Sequence, residues 1–352
     1  MSVSSLKVAF FTYPSAFQNV GGGEIQLMKT KEYLEKEGIS VDFFDLWRHR
    51  VEDYSLIHIF GSVKECLGLA QTAKARKTAV VVSPVFWSDF RRAFFTDGSL
   101  TERAGLALRH LTKVLCPAFP SSRRKLLNLA DAILPNSEME RRQIARLFAL
   151  PLDKIQAVPN AVDASFASAK PDLFVSRFGR EPFILSVGRI EPRKNQLNLI
   201  RAVRKQSGKR LILIGSPVSG LEAYDARCRD EGKGFTQFIP ALSHADPLLA
   251  SAYAACEVFV LPGWFETPGL AGLEAALTGA PLAVTSGGST REYFGDFAEY
   301  LNPADPADIS GKIFAAMKRG RSEPLRRRVL ENFTWPQTAR ATLRAYHSAL
   351  SP

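Results

Sequence analysis

Cysteine is scarce in this chain of 352 residues, and the few cysteines it has form no recognisable cluster. Cys66, Cys116, Cys228 and Cys256 are far apart and lack the spacing of a metal-binding or redox pair. Reduced thiols of this kind are typical of a cytoplasmic protein. We therefore expect no disulfide framework and no metal site, and we expect a cytoplasmic location.

Long apolar segments are also missing. No apolar run approaches the roughly 18 residues that a membrane-spanning helix needs. The apolar stretch nearest the N-terminus, Val8 to Phe11, is too short for a signal peptide. The apolar fraction of 46% and the charged fraction of 23% are ordinary for a globular protein. At this length, two domains are expected, each large enough to bury its own core.

Acidic residues are too few to balance the basic ones, and the net charge is +11. Such an excess suits nucleic acid, an anionic membrane surface or an anionic substrate. No nucleic-acid-binding motif accompanies the charge, so nucleic acid is not expected as a partner. The excess is concentrated between Arg91 and Asn128, where basic residues alternate with apolar ones. This pattern favours two interpretations equally: a basic amphipathic surface on lipid headgroups, or a solvated helical face over an ordinary core.

The stretch from Val258 to Gly279 carries the most specific pattern. Val258 to Leu261 suits a buried strand. A helix is predicted next, with Thr267 as its N-cap and Pro268 at its first position. Its apolar stripe consists of Leu270, Leu273 and Leu277.

Two acids in this stretch, Glu266 and Glu274, do not fit the packing of a helix against a core. The amides of Gly269 and Leu270 at the helix start favour a phosphate, and neighbouring carboxylates can accept hydrogen bonds from hydroxyls of the same ligand. The alternative is that Glu266 is a solvated loop acid and Glu274 a surface residue.

Two cations follow the predicted strand Phe183 to Val187, in the spacing Gly-Arg-x4-Lys-Asn. Arg189 and Lys194 lie beyond the carboxyl end of that strand, where open α/β sheets bind ligands, and their charges suit a pyrophosphate. Near the N-terminus, Gly21 to Gly23 separate a predicted strand from a helix at Glu24 to Glu37. Strand, glycine turn and helix form a common cradle for phosphate, although glycines alone are a weak signal.

Strands alternate with helical segments along the whole chain, which predicts parallel sheets. Ser137 to Glu140 matches a capping box. The segment from Ala164 to Lys170 has the composition of a linker. His58, in the middle of an apolar run, suits a core histidine as well as a functional one. The predicted strands are Leu6–Phe11, Val41–Leu46, Leu56–Phe60, Thr78–Ser83, Ala130–Pro135, Phe183–Val187, Arg210–Gly215, Thr236–Pro240, Val258–Leu261, Leu282–Thr285 and Glu299–Leu301.

The combination of Glu266, seven intervening residues and Glu274 with the upstream pair Arg189 and Lys194 resembles retaining nucleotide-sugar glycosyltransferases of family GT4. The loop reads Glu-Thr-Pro-Gly where the family more often has Glu-Gly-Phe-Gly. The resemblance implies the α/β GT-B fold, in which two doubly wound, Rossmann-like domains face each other across a cleft. Residues 1–166 would form the acceptor-side domain, residues 167–334 the donor-binding domain, and residues 335–352 a helix returning to the first domain.

The resemblance also implies a function and a set of site residues. The chain would transfer a sugar from a nucleotide-sugar donor to a glycan or lipid-linked acceptor, with retention, in bacterial surface polysaccharide or glycoconjugate assembly. No cofactor or essential metal is implied. A cytoplasmic protein on the inner face of the plasma membrane would fit this work. The implied catalytic residues are Arg189, Lys194 and Glu266, and the implied donor-binding residues are Gly22, Gly23, Thr267, Gly269, Leu270 and Glu274.

Within this implied site, Glu266 corresponds to the family acid that contacts the sugar, and Glu274 to the acid that binds the ribose. A family histidine on the acceptor side is absent, because the chain has Ser83-Pro84 at that point. Acceptor residues are therefore not implied. Two other functions remain open: a non-catalytic nucleotide-sugar-binding protein, and a phosphorylase or epimerase on the same fold.

Overall fold

The computed structural model of the protein describes residues 6–18, 20–89, 99–206, 208–267 and 269–351. These residues form two compact units. The first unit contains the described residues up to Ala161 together with those from Trp335 onward, and the second runs from Val162 to Thr334. The second unit thus begins at Val162, where the sequence placed the boundary after residue 166.

The first unit is built on a parallel sheet of five strands in the order β2-β1-β3-β4-β5. Every residue of the central strand β3 is buried, as its continuous apolar sequence requires. The strands are β1 (Lys7–Thr12), β2 (Ser40–Phe43), β3 (Leu56–Phe60), β4 (Ala79–Ser83) and β5 (Ala132–Ile133). The helices that lie between or directly follow these strands are α1 (Gly22–Lys36), α2 (Leu67–Ala75), α3 (Leu100–Leu115), α4 (Ser122–Leu129) and α5 (Glu138–Phe148).

The second unit has a parallel sheet of six strands in the order β11-β10-β9-β6-β7-β8. Separate clusters of buried apolar side chains pack on its two faces, as in other doubly wound sheets. The strands are β6 (Phe183–Val187), β7 (Arg210–Ile214), β8 (Thr236–Ile239), β9 (Val258–Leu261), β10 (Leu282–Thr285) and β11 (Glu299–Leu301). The helices are α6 (Asp172–Phe178), α7 (Gln196–Arg204), α8 (Glu222–Glu231), α9 (Pro247–Ala255), α10 (Leu270–Leu277), α11 (Thr290–Phe294), α12 (Pro306–Arg319) and α13 (Glu323–Asn332).

The C-terminal helix α14 (Trp335–Leu350) packs against α1 in the first unit. Its Tyr346 is fully buried, and the hydroxyl lies 2.6 Å from Nδ1 of His58. Nε2 of His58 lies 2.9 Å from the hydroxyl of Ser83. Burial lowers the pKa of His58 to about 3, so the ring is neutral near pH 7. His58 is therefore a core histidine whose two ring nitrogens are both paired with side-chain hydroxyls.

Several local predictions need correction. The predicted linker is not structureless: Ala164–Ser168 is a 3₁₀ helix, and Phe166 packs into the core of the second unit. Strand β2 ends at Phe43, three residues before its predicted end at Leu46. Asp45 accepts a hydrogen bond from the amide of Trp47 at 2.8 Å, and this turn diverts the chain from the sheet.

Helix α5 begins at a side-chain cap, as predicted. The Glu140 carboxylate, which is the other half of the predicted capping box, accepts amides elsewhere in the chain. The hydroxyl of Ser137 accepts the amide of Glu140 at 3.0 Å. The Glu140 carboxylate, which is fully buried, accepts the amides of Phe86 at 2.6 Å and Asn136 at 2.8 Å. It therefore joins the segment after β4 to the start of α5.

Part of the basic, apolar-rich segment lies in α3. The residues Arg91, Arg92, Phe94, Phe95 and Asp97 fall outside the described residues. Helix α3 itself buries none of its sixteen residues. Several of its residues, such as Leu106 and His110, are half-buried, so both interpretations of this segment stay predictions. None of the described helices is both long and apolar enough to cross a bilayer.

Candidate functional site

The loop after β9 holds Glu266 through its backbone. The amide of Glu266 donates to the carbonyl oxygen of Gly287 at 3.2 Å, and its own carbonyl oxygen accepts the amide of Ser289 at 2.9 Å. Gly288 has a φ of +88°, and a Cβ at this position would lie 2.0 Å from the Glu266 carbonyl oxygen. Glycine is therefore required here, and the glycine-rich turn after β10 fixes the position of Glu266.

Lys194 and Glu266 form a partly buried ion pair. The ammonium nitrogen of Lys194 lies 2.6 Å from Oε1 of Glu266, and the two side chains are 17% and 4% exposed. Burial, which outweighs the nearby carboxylate, lowers the pKa of Lys194 below its usual value. Lys194 ends the 3₁₀ helix Pro192–Lys194. The structure thus brings together two of the three residues predicted to be catalytic.

Asn195 helps to bring Lys194 and Glu266 together, although they are 72 residues apart in sequence. It has a φ of +60°, a conformation that asparagine tolerates better than most residues, and it caps the start of α7. Its side-chain amide donates to the carbonyl oxygens of Pro262 at 3.0 Å and Pro303 at 2.8 Å. The first bond ties the loop after β6 to the loop after β9, at the carboxyl ends of two paired strands, and the second ties it to the segment after β11.

Arg189, the third predicted catalytic residue, lies on the same loop as Lys194 but is more exposed. Its side chain is 38% exposed, and Nη2 lies 3.6 Å from Oε1 of Glu191. The same oxygen accepts a hydrogen bond from Nη2 of Arg193 at 3.0 Å. Glu191 therefore faces two guanidinium groups, a role that the sequence pattern did not indicate.

Helix α10 begins later than predicted, and Thr267 is not its N-cap. The N-cap residue is Gly269, with a φ of +80° and no side-chain capping bond. A Cβ at Gly269 would lie 2.7 Å from Cδ2 of Leu261, so glycine is needed for the close approach of the helix start to β9. The predicted first position, Pro268, lies outside the described residues. Leu273 and Leu277 are fully buried, as the apolar stripe predicted.

Glu274 lies one turn into α10, because the helix starts at Leu270. Only 4% of the residue is exposed. Oε2 accepts the hydroxyl of Tyr253 at 2.7 Å, and Oε1 lies 2.5 Å from Nδ1 of His244. Burial, reinforced by Glu274, raises the pKa of Tyr253 well above its usual value. Since Glu266 is equally buried, the interpretation of both acids as solvated residues is wrong.

His244 and Tyr253 were both missed by the sequence analysis. Tyr253 lies on α9 and is indistinguishable in sequence from any other core tyrosine. His244 lies in the turn between β8 and α9, where no motif marks it. Only the fold shows that both side chains reach the second glutamate.

The predicted glycine site lies in the first unit. Helix α1 starts at Gly22, two residues earlier than predicted, and Gly23 lies in its first turn. The amide of Gly21 donates to Oε2 of Glu24 at 2.8 Å, and the hydroxyl of Tyr13 donates to Oε1 at 3.1 Å. A Cβ at Gly23 would meet no atom within 4 Å, so packing within the protein does not require this glycine.

Potential metal ligands are not grouped in the described part of the chain, where no three or more His, Cys, Asp or Glu side chains are arranged to hold an ion. The loop after β6 carries three positive side chains: Lys194 faces Glu266, and the guanidinium groups of Arg189 and Arg193 face Glu191.

Two doubly wound units with parallel sheets are typical of the GT-B class, and here a strand–loop–helix of the second unit carries two buried acids, the first paired with a lysine. Residues 172–333 match the family model described as "Glycosyl transferases group 1". This segment is therefore similar to the group 1 glycosyltransferases, in agreement with the family predicted from Glu266 and Glu274.

Individual relatives agree with this assignment. D-inositol 3-phosphate glycosyltransferase of Nocardia farcinica is 29% identical over 248 residues, which span 64% of this chain and 54% of the relative. The chain thus matches about half the length of that protein. O-antigen chain mannosyltransferase B of Escherichia coli is 27% identical over 275 residues, covering 70% of each chain. HepE of Anabaena, solved in complex with UDP and glucose, has a TM-score of 0.74 at 15% identity, covering 97% of this chain and 100% of that one. The last similarity shows the fold and confirms the GT-B prediction.

Proposed function

We propose that the chain is a retaining glycosyltransferase that moves a sugar from a nucleotide-sugar to an acceptor hydroxyl in bacterial surface polysaccharide or glycoconjugate assembly. The observation that carries this proposal is the ion pair of Lys194 with Glu266, next to the start of α10. Relatives named as a D-inositol 3-phosphate glycosyltransferase and an O-antigen chain mannosyltransferase support sugar transfer, and the second name supports a glycan acceptor. The complex of HepE with UDP supports a nucleotide-sugar donor.

The charges of the site support a mechanism that stabilises the leaving group. As the bond between the sugar carbon and the β-phosphate oxygen breaks, negative charge accumulates on the diphosphate. Arg189 and Lys194 would bind this diphosphate, helped by the amides of Gly269 and Leu270 and by Thr267. The acceptor oxygen forms the new bond to the sugar carbon on the same face, and its proton passes to the leaving phosphate oxygen.

The two glutamates would serve different parts of the donor. Glu266 would accept hydrogen bonds from the transferred sugar, and its charge would stabilise the oxocarbenium-like transition state. Glu274 would accept the ribose hydroxyls. Because two fixed cations can neutralise a diphosphate, we propose that transfer needs no metal. Activity that survives EDTA would support this point, and restoration of lost activity by Mg²⁺ would contradict it.

Gly22 and Gly23 would let a ligand approach the backbone at the start of α1. The open space around Gly23 supports this role, because the protein's own packing leaves the glycine unexplained. Gly23→Ala should therefore reduce transfer while leaving the melting temperature equal or slightly higher, since alanine favours a helix. A loss of stability with unchanged transfer would contradict the assignment.

A panel of UDP-, GDP- and ADP-sugars tests the proposed function. Sugar should be released and transferred only when an acceptor is present, and NMR of the product should show the anomeric configuration of the donor. Conversion of the donor without acceptor would indicate an epimerase, and a requirement for inorganic phosphate would indicate a phosphorylase. Tight binding without any turnover would indicate a non-catalytic binding protein.

We also propose that the protein is cytoplasmic and docks on an anionic membrane through α3. Helix α3 exposes Leu100, Leu108, Leu111 and Leu115 at i, i+8, i+11 and i+15, which is a single helical face. On the protein side, His110 bonds with Ser88, and Lys113 lies over the ring of Phe86. The net charge of +11 complements an anionic surface.

Sedimentation with vesicles tests this docking. The protein should bind vesicles containing phosphatidylserine at low salt and be released as salt rises, because exposed charges are screened within about 10 Å at 0.1 M. Leu108→Gln with Leu111→Gln should weaken binding. Phe314→Gln removes an apolar side chain that is 69% exposed on α12, and it serves as the matched control. Equal loss in both variants, or binding that ignores lipid charge, would rule out docking by α3.

A further inference from the structure

The turn between β8 and α9 places an imidazole against the buried carboxylate of Glu274. Nδ1 of His244 lies 2.5 Å from Oε1, and the His244 side chain is 41% exposed while that of Glu274 is 5% exposed. The turn is held by one hydrogen bond to the segment after β7 and one within itself. The amide of Ala241 donates to the hydroxyl of Ser216 at 3.1 Å, and the amide of Asp246 donates to the carbonyl oxygen of Ser243 at 2.9 Å. His244 is therefore presented by a fixed segment.

The hydrogen bonds around Glu274 leave acceptor capacity on both oxygens. A carboxylate offers about four lone-pair sites. The hydroxyl of Tyr253 uses one site on Oε2, and the imidazole of His244 uses one on Oε1. One further hydrogen bond can therefore be accepted by each oxygen. Two adjacent hydroxyl groups, such as those of a ribose, would match these two remaining sites.

The two partners of Glu274 differ in how far they are buried. Tyr253 is fully buried and belongs to the core of the second unit, whereas His244 is the partner closest to solvent. The terminal torsion of a glutamate side chain is broad and is not fixed by intrinsic preference. With Tyr253 alone, the carboxylate would be fixed at one oxygen only. His244 fixes the second oxygen.

We infer that His244 is a positioning residue of the nucleoside subsite, where it orients Glu274 so that each carboxylate oxygen meets one hydroxyl of the ribose. This inference rests on the proposed function, because it takes a nucleoside diphosphate as the ligand. It adds to that function a residue outside the Glu-x7-Glu element and states which part of the ligand the residue serves. The imidazole acts through Glu274 and need not contact the sugar that is transferred.

Calorimetry with two probes separates this role from a general effect on the site. The probes are UDP and 2′,3′-dideoxy-UDP, or the corresponding ADP or GDP pair if the wild type prefers that base. His244→Ala should lower the affinity for UDP three- to tenfold. The affinity for the dideoxy probe should stay unchanged, because that probe has no ribose hydroxyls for Glu274 to bind. His244→Asn, whose side-chain amide can replace the Nδ1 donor, should bind both probes like the wild type.

The remaining outcomes discriminate between the inference and the proposed function. The inference is wrong if His244→Ala lowers the affinity for both probes equally. It is also wrong if the substitution raises the affinity for UDP, because the imidazole would then compete with the ribose. Glu274→Ala provides the reference, and its preference for UDP over the dideoxy probe should disappear. A wild-type protein that binds none of the nucleoside diphosphates overturns the proposed function as well. Wild-type binding with an unaltered preference in His244→Ala overturns the inference alone.

Discussion

Glu266 and Glu274 lie in consecutive structural elements and are equally buried, yet their surroundings differ in charge. Each is 4% exposed. Glu266 faces the ammonium group of Lys194 at 2.6 Å, whereas Glu274 is bonded to the hydroxyl of Tyr253 and to His244. A buried carboxylate can thus be stabilised by an opposite charge or by neutral and titratable hydrogen-bond donors. The first arrangement couples the acid to a lysine that is itself part of the proposed site.

The backbones that carry the two acids also differ. Glu266 lies in a loop whose position depends on a bridge to Gly288, while Glu274 lies within helix α10. An acid in a loop, with one described side-chain partner, can adjust to a ligand because mainly its backbone is fixed. An acid in a helix with a donor on each oxygen is preorganised. We expect the first to serve the reacting sugar and the second to serve recognition of the nucleoside.

The largest expected effect comes from removing the cation of the Lys194–Glu266 pair. Lys194→Met leaves the Glu266 carboxylate buried without its counter-charge, which should lower the free energy of unfolding by about 3–5 kcal/mol. The double variant Lys194→Met with Glu266→Gln should recover most of this loss, because no charge is left unpaired. Urea unfolding of the three proteins measures the difference.

An exposed ion pair provides the matched control for that experiment. Lys209 and Glu257 are 3.0 Å apart, with side chains 35% and 32% exposed. Lys209→Met should therefore cost no more than about 1 kcal/mol. If the free energy of unfolding of Lys194→Met is no lower than that of Lys209→Met, the buried pair does not stabilise the loop.

The second prediction separates the two glutamates by their ligands. Glu274→Ala should weaken the binding of free nucleoside diphosphate and of the whole donor alike, by about 1–3 kcal/mol for the lost hydrogen bonds. Glu266→Ala should bind free nucleoside diphosphate nearly normally but transfer sugar poorly, because its contact matters most as the sugar carbon becomes positive. Calorimetry with the nucleotide and initial rates of transfer measure the two effects. Equal loss of nucleotide affinity in both variants would mean that the acids do not divide the donor between them.

The surroundings of Glu266 could be predicted from the sequence better than those of Glu274. Arg189, Lys194 and Glu266 could be proposed because each follows a strand whose apolar pattern is strong, and Glu274 because it is an acid within an apolar helix. Strands such as Phe183–Val187 and Val258–Leu261 were predicted with their observed bounds for the same reason. The pairing of Lys194 with Glu266, 72 residues apart, follows from adjacent parallel strands and could only be expected in outline.

Partners from less regular segments could not be predicted. His244 lies in a turn, and its contact with Glu274 depends on how that turn packs on α10, which no local pattern specifies. The predicted Thr267 cap failed because Gly269 adopts a left-handed conformation and starts the helix later. Likewise, the Ala164–Lys170 segment has the composition of a linker, but Phe166 alone provides enough apolar surface to anchor it in a core.

The third prediction concerns Arg189, for which we expect a smaller effect than for Lys194. Its side chain is 38% exposed and already faces Glu191, so water and that acid offset part of its charge. Arg189→Ala should still lower transfer about tenfold, equivalent to about 1.4 kcal/mol, if it binds the diphosphate. Arg229→Ala on α8, which removes an exposed ion pair with Asp225, is the control and should transfer normally. Unchanged transfer in Arg189→Ala would exclude this arginine from phosphate binding.

The smallest expected effect is a shift in pH dependence, and it tests whether the ammonium of Lys194 is the active species. Burial lowers the pKa of Lys194 below its usual 10.5, so the folded protein loses this proton at a lower pH than the unfolded chain does. If the ammonium is the active species, kcat/KM should fall on the alkaline side as Lys194 loses its charge, at a pH below that of an exposed lysine. Lys194→Arg keeps its charge throughout this range, so whatever activity it retains should lack this alkaline fall. The same alkaline fall in both proteins would show that another group titrates. The ammonium of Lys194 would then not be the active species.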